Sequence, residues 1–151
     1  MKSPNHRSIE TNGIRLHIAE LGEGPLVILC HGFPEGWYSW RHQIEALAEA
    51  GYHVVAPDQR GYGQSDAPAA IDQYDLLHLA GDIVGLVYAL GEKRATIAGH
   101  DWGAPVAWHS ALLRPDVFRA WQCPAHNQGN QCGDCRACWD AKDMPVSYCK
   151  H

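Results

Sequence analysis

The segment Ala95-Thr96-Ile97-Ala98-Gly99-His100-Asp101-Trp102-Gly103-Ala104-Pro105-Val106-Ala107 passes from a short apolar strand through a sharp turn into a helix. That helix is expected over Ala104 to Leu113, halting before Pro115. The turn, Gly99-His100-Asp101-Trp102-Gly103, has the small-x-nucleophile-x-small spacing of a nucleophile elbow. Small residues flank Asp101 because such a turn is strained and brings backbones close together. Above a helix N-terminus the ionised carboxylate is stabilised, and backbone N–H groups point at whatever binds there. An aspartate before a helix is more often a plain N-cap. The flanking glycines and the motif described next favour the nucleophile.

Working outward, Asn12-Gly13 signals a tight hairpin whose second arm alternates Ile14, Leu16, Ile18, so an antiparallel edge comes first. Leu26-Val27-Ile28-Leu29-Cys30 is a continuous apolar run suited to a strand buried on both faces. Trp40 to Ala50 places Trp40, Ile44, Leu47 and Ala48 at helical spacing, with Gly51 as the stop. His53 to Ala56 returns to strand, Asp58 to Pro68 is a loop of turn formers, and Asp75 caps a helix that ends at Gly91. Strands alternating with helices imply an α/β fold with a mostly parallel sheet and flanking helices. After Arg119 this alternation stops. The expected organisation is therefore an α/β unit over 1–119 and a cysteine-rich tail over 120–151.

His31-Gly32-Phe33-Pro34 follows the buried strand and is placed to face the elbow across the C-terminal edge of the sheet. There the Phe33 and Trp102 backbone N–H groups would form an oxyanion hole. Asp58-Gln59-Arg60-Gly61-Tyr62-Gly63-Gln64-Ser65-Asp66 lacks the third glycine and following helix of a dinucleotide loop, and reads as structural. Trp37, Tyr38, Trp40 and Trp108 read as packing residues, and Cys30 as a small core residue. His31 and His100 are positional, not bases.

These motifs, with Glu35 and Trp40-Arg41, stand in the order found in the α/β-hydrolase superfamily, and over residues 7 to about 119 the chain resembles its epoxide hydrolase family. The resemblance implies that Asp101 attacks a saturated carbon to give an alkyl-enzyme ester, which water then hydrolyses, opening an epoxide to a diol. A carboxylate suits this chemistry because it is already an anion at neutral pH. Haloalkane dehalogenases usually carry Asn after His-Gly, and fluoroacetate dehalogenases Arg after the nucleophile. Phe33 and Trp102 in those places favour the epoxide. The family's base is a histidine near its C-terminus, oriented by a later acid, with lid tyrosines as proton donors, and none of these has a matching motif here. Asp134, Asp140, Asp143, His126 and His151 follow in order but on no recognisable strands. The expectation is a slow or trapped alkyl-enzyme.

With 151 residues, 46% of them apolar, and a net charge of −5, the chain is expected to hold one globular domain with no footprint for nucleic acid or membrane. The polar start, Met1 to Ser8, favours a cytoplasmic location with reduced thiols. The hydrolase reading needs no cofactor, takes a small-molecule epoxide as partner, and leaves an exposed sheet edge through which two copies would pair. Cysteines divide the chain: Cys30 stands alone, while Cys123, Cys132, Cys135, Cys138 and Cys149 crowd into the tail. Cys123, Cys132, Cys135 and Cys138 could hold zinc tetrahedrally, and an iron-sulfur cluster is the other metal reading. Lys142 stands where a bacterial ferredoxin pattern wants its next cysteine. Oxidation-prone thiols without metal are the competing account. Cys132 to Trp139, with Val146-Ser147-Tyr148, is similar to the C-terminal stretch of some uncharacterised phage-encoded proteins. Two alternatives to an enzyme follow: a metal-binding segment on a non-catalytic scaffold, or a fusion fragment without function.

Overall fold

The computed structural model describes residues 3–122. The hairpin forms as expected. Strands β1 (Asn5–Thr11) and β2 (Ile14–Leu21) pair antiparallel around Asn12 and Gly13, both at positive φ. Strand β3 (Leu26–Cys30) is buried along its whole length. A short helical turn at Trp37–Trp40 leads into α1 (Arg41–Glu49), and β4 (His53–Pro57) follows. Helix α2 (Leu76–Ala89) is capped by the Asp75 carboxylate, which accepts from His78 N–H at 2.8 Å. Strand β5 (Ala95–Gly99) and helix α3 (Gly103–Leu113) enclose the elbow.

Alternation along the central strands builds a core on each face of the sheet. Leu26, Ile28 and Cys30 face one side with Val55 and Ile97, packed under Ile83, Leu86 and Val87 of α2 and Val106 of α3. Val27 and Leu29 face the other with Val54, Ala56 and Ala98, covered by Ile44 and Leu47 of α1 and by Trp40. Burying each large aliphatic side chain of this kind contributes about 1.5–3 kcal/mol. Cys30 belongs to the first core, and burial pushes its thiol up to about 12, so it is an inert thiol.

The sequence reading ends the alternation after Arg119, but the structure carries it one strand further. Strand β6 (Phe118–Gln122) pairs parallel with every residue of β5, so the α/β unit reaches at least Gln122. Phe118-Arg119-Ala120-Trp121-Gln122 mixes polar and apolar residues. A search for a continuous apolar run passes over such a strand, which pairs on one side among the described residues. The six strands run in the order β1-β2-β4-β3-β5-β6, with β3, β4, β5 and β6 mutually parallel. From β3 the chain moves outward to β4 and then crosses back to β5. The crevice beyond the ends of β3 and β5 is therefore the topological switch point of the sheet.

A buried ion pair ties the loop after β4 to α2. Arg60 donates to both oxygens of Asp82, from Nε at 2.9 Å and Nη2 at 2.7 Å, and each residue is 2% exposed. Asn12 of the hairpin donates to Asp82 Oδ1 at 2.9 Å, so three separate segments meet there. The carboxylate beside Arg60 raises the pKa of its guanidinium further. Removing one partner leaves an uncompensated buried charge, so Arg60→Met should cost about 3–5 kcal/mol in denaturant unfolding, and Arg60→Met with Asp82→Leu distinctly less. A loss confined to a few tenths of a kcal/mol would show that the pair contributes no more than a surface bridge.

Candidate active site

Two loops leave the sheet side by side because Cys30 lies opposite Gly99 in the parallel pairing of β3 and β5. The first is His31-Gly32-Phe33-Pro34, and the second is the elbow. At the elbow Asp101 has φ +52°, the left-handed region that a residue with a side chain rarely adopts, and this turns its carboxylate out of the sheet. The turn is closed by Gly103 N–H donating to the His100 carbonyl at 2.8 Å, and by His100 N–H donating to the Cys30 carbonyl at 3.1 Å. Gly103 is pressed so close that an added Cβ would collide with the Cys30 carbonyl, and one at Gly99 would collide with Gly103 itself. The expected role of both small residues is what the backbone requires.

Phe33 N–H donates to Asp101 Oδ1 at 2.9 Å across a sequence gap of 68 residues. Gly32 makes that approach feasible, since a Cβ there would lie 2.5 Å from the Asp101 Cβ. The N–H groups of Phe33 first, and Trp102 second, hold the Asp101 carboxyl below the usual carboxylate range, with some help from the charge of His100. Phe33 and Trp102 are 62% and 65% exposed, and Asp101 is exposed as well.

His31 is fully buried and its ring is committed at both nitrogens. Nδ1 lies 2.8 Å from the Gly32 carbonyl, and Nε2 accepts the Gln59 N–H at 3.0 Å, which fixes the neutral Nδ1–H tautomer. Burial lowers its pKa, against the opposing pull of the Gly32 carbonyl and the Asp58 and Glu35 charges. It has no lone pair free to act as a base. His100 Nδ1 faces Glu35 Oε2 at 3.6 Å, and Glu35 Oε2 also accepts the Gly32 N–H at 3.2 Å.

The aromatic expectations divide. Trp40 is buried as a packing residue, but Tyr38 and Trp108 are exposed at 61% and 42%. Arg41 covers the Tyr38 ring from 4.6 Å, so this tyrosine packs against a cation at the surface and not against the core. Among the described residues no cluster of three or more histidine, cysteine or acidic side chains could hold a metal ion, and no helix is long and apolar enough to cross a membrane. Cys123, Cys132, Cys135 and Cys138 lie outside the described residues. Glu35, which the resemblance includes, and Gln59 both shape the loop facing Asp101, and only Gln59 carries no expectation of its own in the sequence. It sits inside a quoted motif, and the signal is a polar residue just after an apolar strand, where burial makes it a hydrogen-bonding partner.

A family profile described as alpha/beta hydrolase fold matches residues 25–121. The chain belongs to this family. It is 58% identical over 122 residues to Epoxide hydrolase A of Mycobacterium tuberculosis and 52% identical over 120 residues to Epoxide hydrolase 3 of Siraitia grosvenorii. Each match takes in 80% of this chain but only 38% of the relative, so the chain spans well under half the length of these proteins. Among solved structures, an epoxide hydrolase from an endophytic Streptomyces superposes with a TM-score of 0.79 at 56% identity, over 81% of this chain and 37% of that one. The sheet and its flanking helices are thus those of an α/β-hydrolase.

The lowered Asp101 carboxyl gives a direct check. Carbon NMR of the side-chain carboxyl should titrate below the ordinary aspartate value of about 3.9. Because the folded pKa is depressed, the stabilisation from ionised Asp101 is complete above that value and is lost as pH falls through the folded midpoint. A midpoint at or above the ordinary value would show that the two N–H groups do not hold the anion.

Proposed function

We propose that this chain carries the nucleophilic part of an epoxide hydrolase site, with Asp101 as the nucleophile and the Phe33 and Trp102 N–H groups as the oxyanion donors. The observation that carries the reading is the Phe33 N–H on Asp101 Oδ1. It distinguishes the two carboxylate oxygens: Oδ1 becomes the ester carbonyl oxygen already seated against its donor, and Oδ2 attacks. Attack forms the Oδ2–carbon bond and breaks one ring C–O bond. The ring oxygen keeps that electron pair and takes a proton from solvent, giving a 2-hydroxyalkyl ester. An already ionised carboxylate needs no base for this step. The names of the relatives support epoxides as the substrate class.

Hydrolysis of the ester makes a different demand. Water must attack the Asp101 carbonyl carbon while a base takes its proton, and the charge that grows on Oδ1 falls where Phe33 N–H already points. Of the histidines beside the elbow, His31 has both ring nitrogens engaged and His100 faces Glu35. The ester is therefore expected to outlive its formation.

Incubation with phenyl glycidyl ether followed by intact mass measurement and peptide mapping tests this. One alkali-labile adduct should map to Asp101 and be absent from Asp101→Ala. Adducts on cysteine would be alkali-stable thioethers, so a parent protein carrying only those would sink the proposal. Release of diol at many turnovers per chain would instead overturn the expectation of a persistent ester.

A further inference from the structure

The loop that carries Phe33 is gripped at both ends by two adjacent residues at the end of β4. Asp58 is 2% exposed, and its Oδ1 accepts the Trp37 N–H at 2.9 Å. Gln59 holds the other end twice. Its backbone N–H donates to His31 Nε2 at 3.0 Å, and its side-chain Nε2 donates to the His31 carbonyl at 2.5 Å. Between these anchors a turn closed by Glu35 N–H on the Gly32 carbonyl at 3.0 Å takes up the remaining slack. An added Cβ at Gly36 would lie 2.9 Å from Asp58 Oδ1, so the loop rests directly on the carboxylate.

We propose that Asp58 and Gln59 are positioning residues that fix loop 31–37 at both ends, so that the Phe33 N–H stays on Asp101 Oδ1. This inference rests on the reading of Asp101 as nucleophile. Neither residue touches the reacting atoms, and neither was given a role beyond the structural loop by its motif. A buried carboxylate at Asp58 is costly unless its oxygens are satisfied. Oδ2 meets that need by accepting Gln64 N–H at 3.2 Å and pairing with His17 Nδ1 at 2.8 Å. His17 Nε2 in turn lies 3.1 Å from His6 Nδ1, which continues the chain of hydrogen bonds to the surface. The acceptor that holds Trp37 is thus itself held by groups on β2 and on the following loop. An apolar residue in its place would leave the Trp37 N–H without its partner and free that end of the loop.

The test is an acid titration of the Phe33 amide by nitrogen–proton NMR on the full chain without epoxide, since that signal follows ionisation of the carboxylate it donates to. In Asp58→Ala the midpoint should rise, so that the proton concentration at the midpoint falls about three- to tenfold. Asp58→Asn keeps an acceptor for Trp37 N–H and should restore the parent midpoint, while Gln59→Leu releases one hold on His31 and should fall between. A purely structural role lowers the melting temperature and leaves the midpoint alone. A folded Asp58→Ala that titrates Phe33 at the parent midpoint would overturn the proposal. If Asp58→Ala does not fold, an unmoved midpoint in Gln59→Leu does the same. A moved midpoint without any Asp101 adduct would overturn the nucleophile and leave the positioning intact. An adduct with an unmoved midpoint would do the reverse.

Discussion

The parallel pairing of β3 with β5 is the constraint on which the site depends. These strands are separated by two helices and another strand in sequence, yet Cys30 stands opposite Gly99, so the loops that follow them start level. Asp101 and the N–H groups that hold its carboxylate lie within a few residues of that level. Phe33 reaches Asp101 because both loops leave the same end of neighbouring strands, and the glycines on each side remove the side chains that would keep them apart. The interior decides the pairing. Val27 and Leu29 must point into one core and Ile28 into the other, and a shift by one residue would exchange them.

Much of this was legible in the sequence because the relevant signals are local. Leu26 to Cys30 is apolar at every position and formed the doubly buried strand. Gly51 and Pro115 stop helices for reasons of backbone geometry alone, and Asn12-Gly13 fixes its own turn. The turn at Asp101 was readable for the same reason: a strand, two glycines around an aspartate, and a helix impose one geometry. Strand β6 was not legible. Phe118 to Gln122 has no doubly buried pattern, and what makes it a strand is the open hydrogen-bonding edge of β5, a partner more than twenty residues earlier.

The same distinction separates Asp101 from the residues behind the loop that faces it. Asp101 announces itself by its setting, whereas Asp58 and Gln59 look like two more polar residues in a turn-rich loop. Their hydrogen bonds reach His31 and Trp37 in the loop after β3 and His17 in β2, two segments far from them in sequence. No local pattern carries that information. The exposed aromatics show a related limit. Trp40 and Tyr38 have similar sequence surroundings, and only the path of the helical turn sends one to the core and the other toward Arg41.

Setting Asp101 by strand pairing gives its surroundings a mutational footprint larger than their surface. Ile97 is fully buried, yet it lies on the strand whose end leads to Asp101 and pairs with Ile28. A cavity there would loosen the interior that keeps the two strand ends level. Substitutions deep in the sheet would then be felt first as a displaced carboxylate, before the domain as a whole lost its fold. For this architecture, accuracy at the surface is a property of the core.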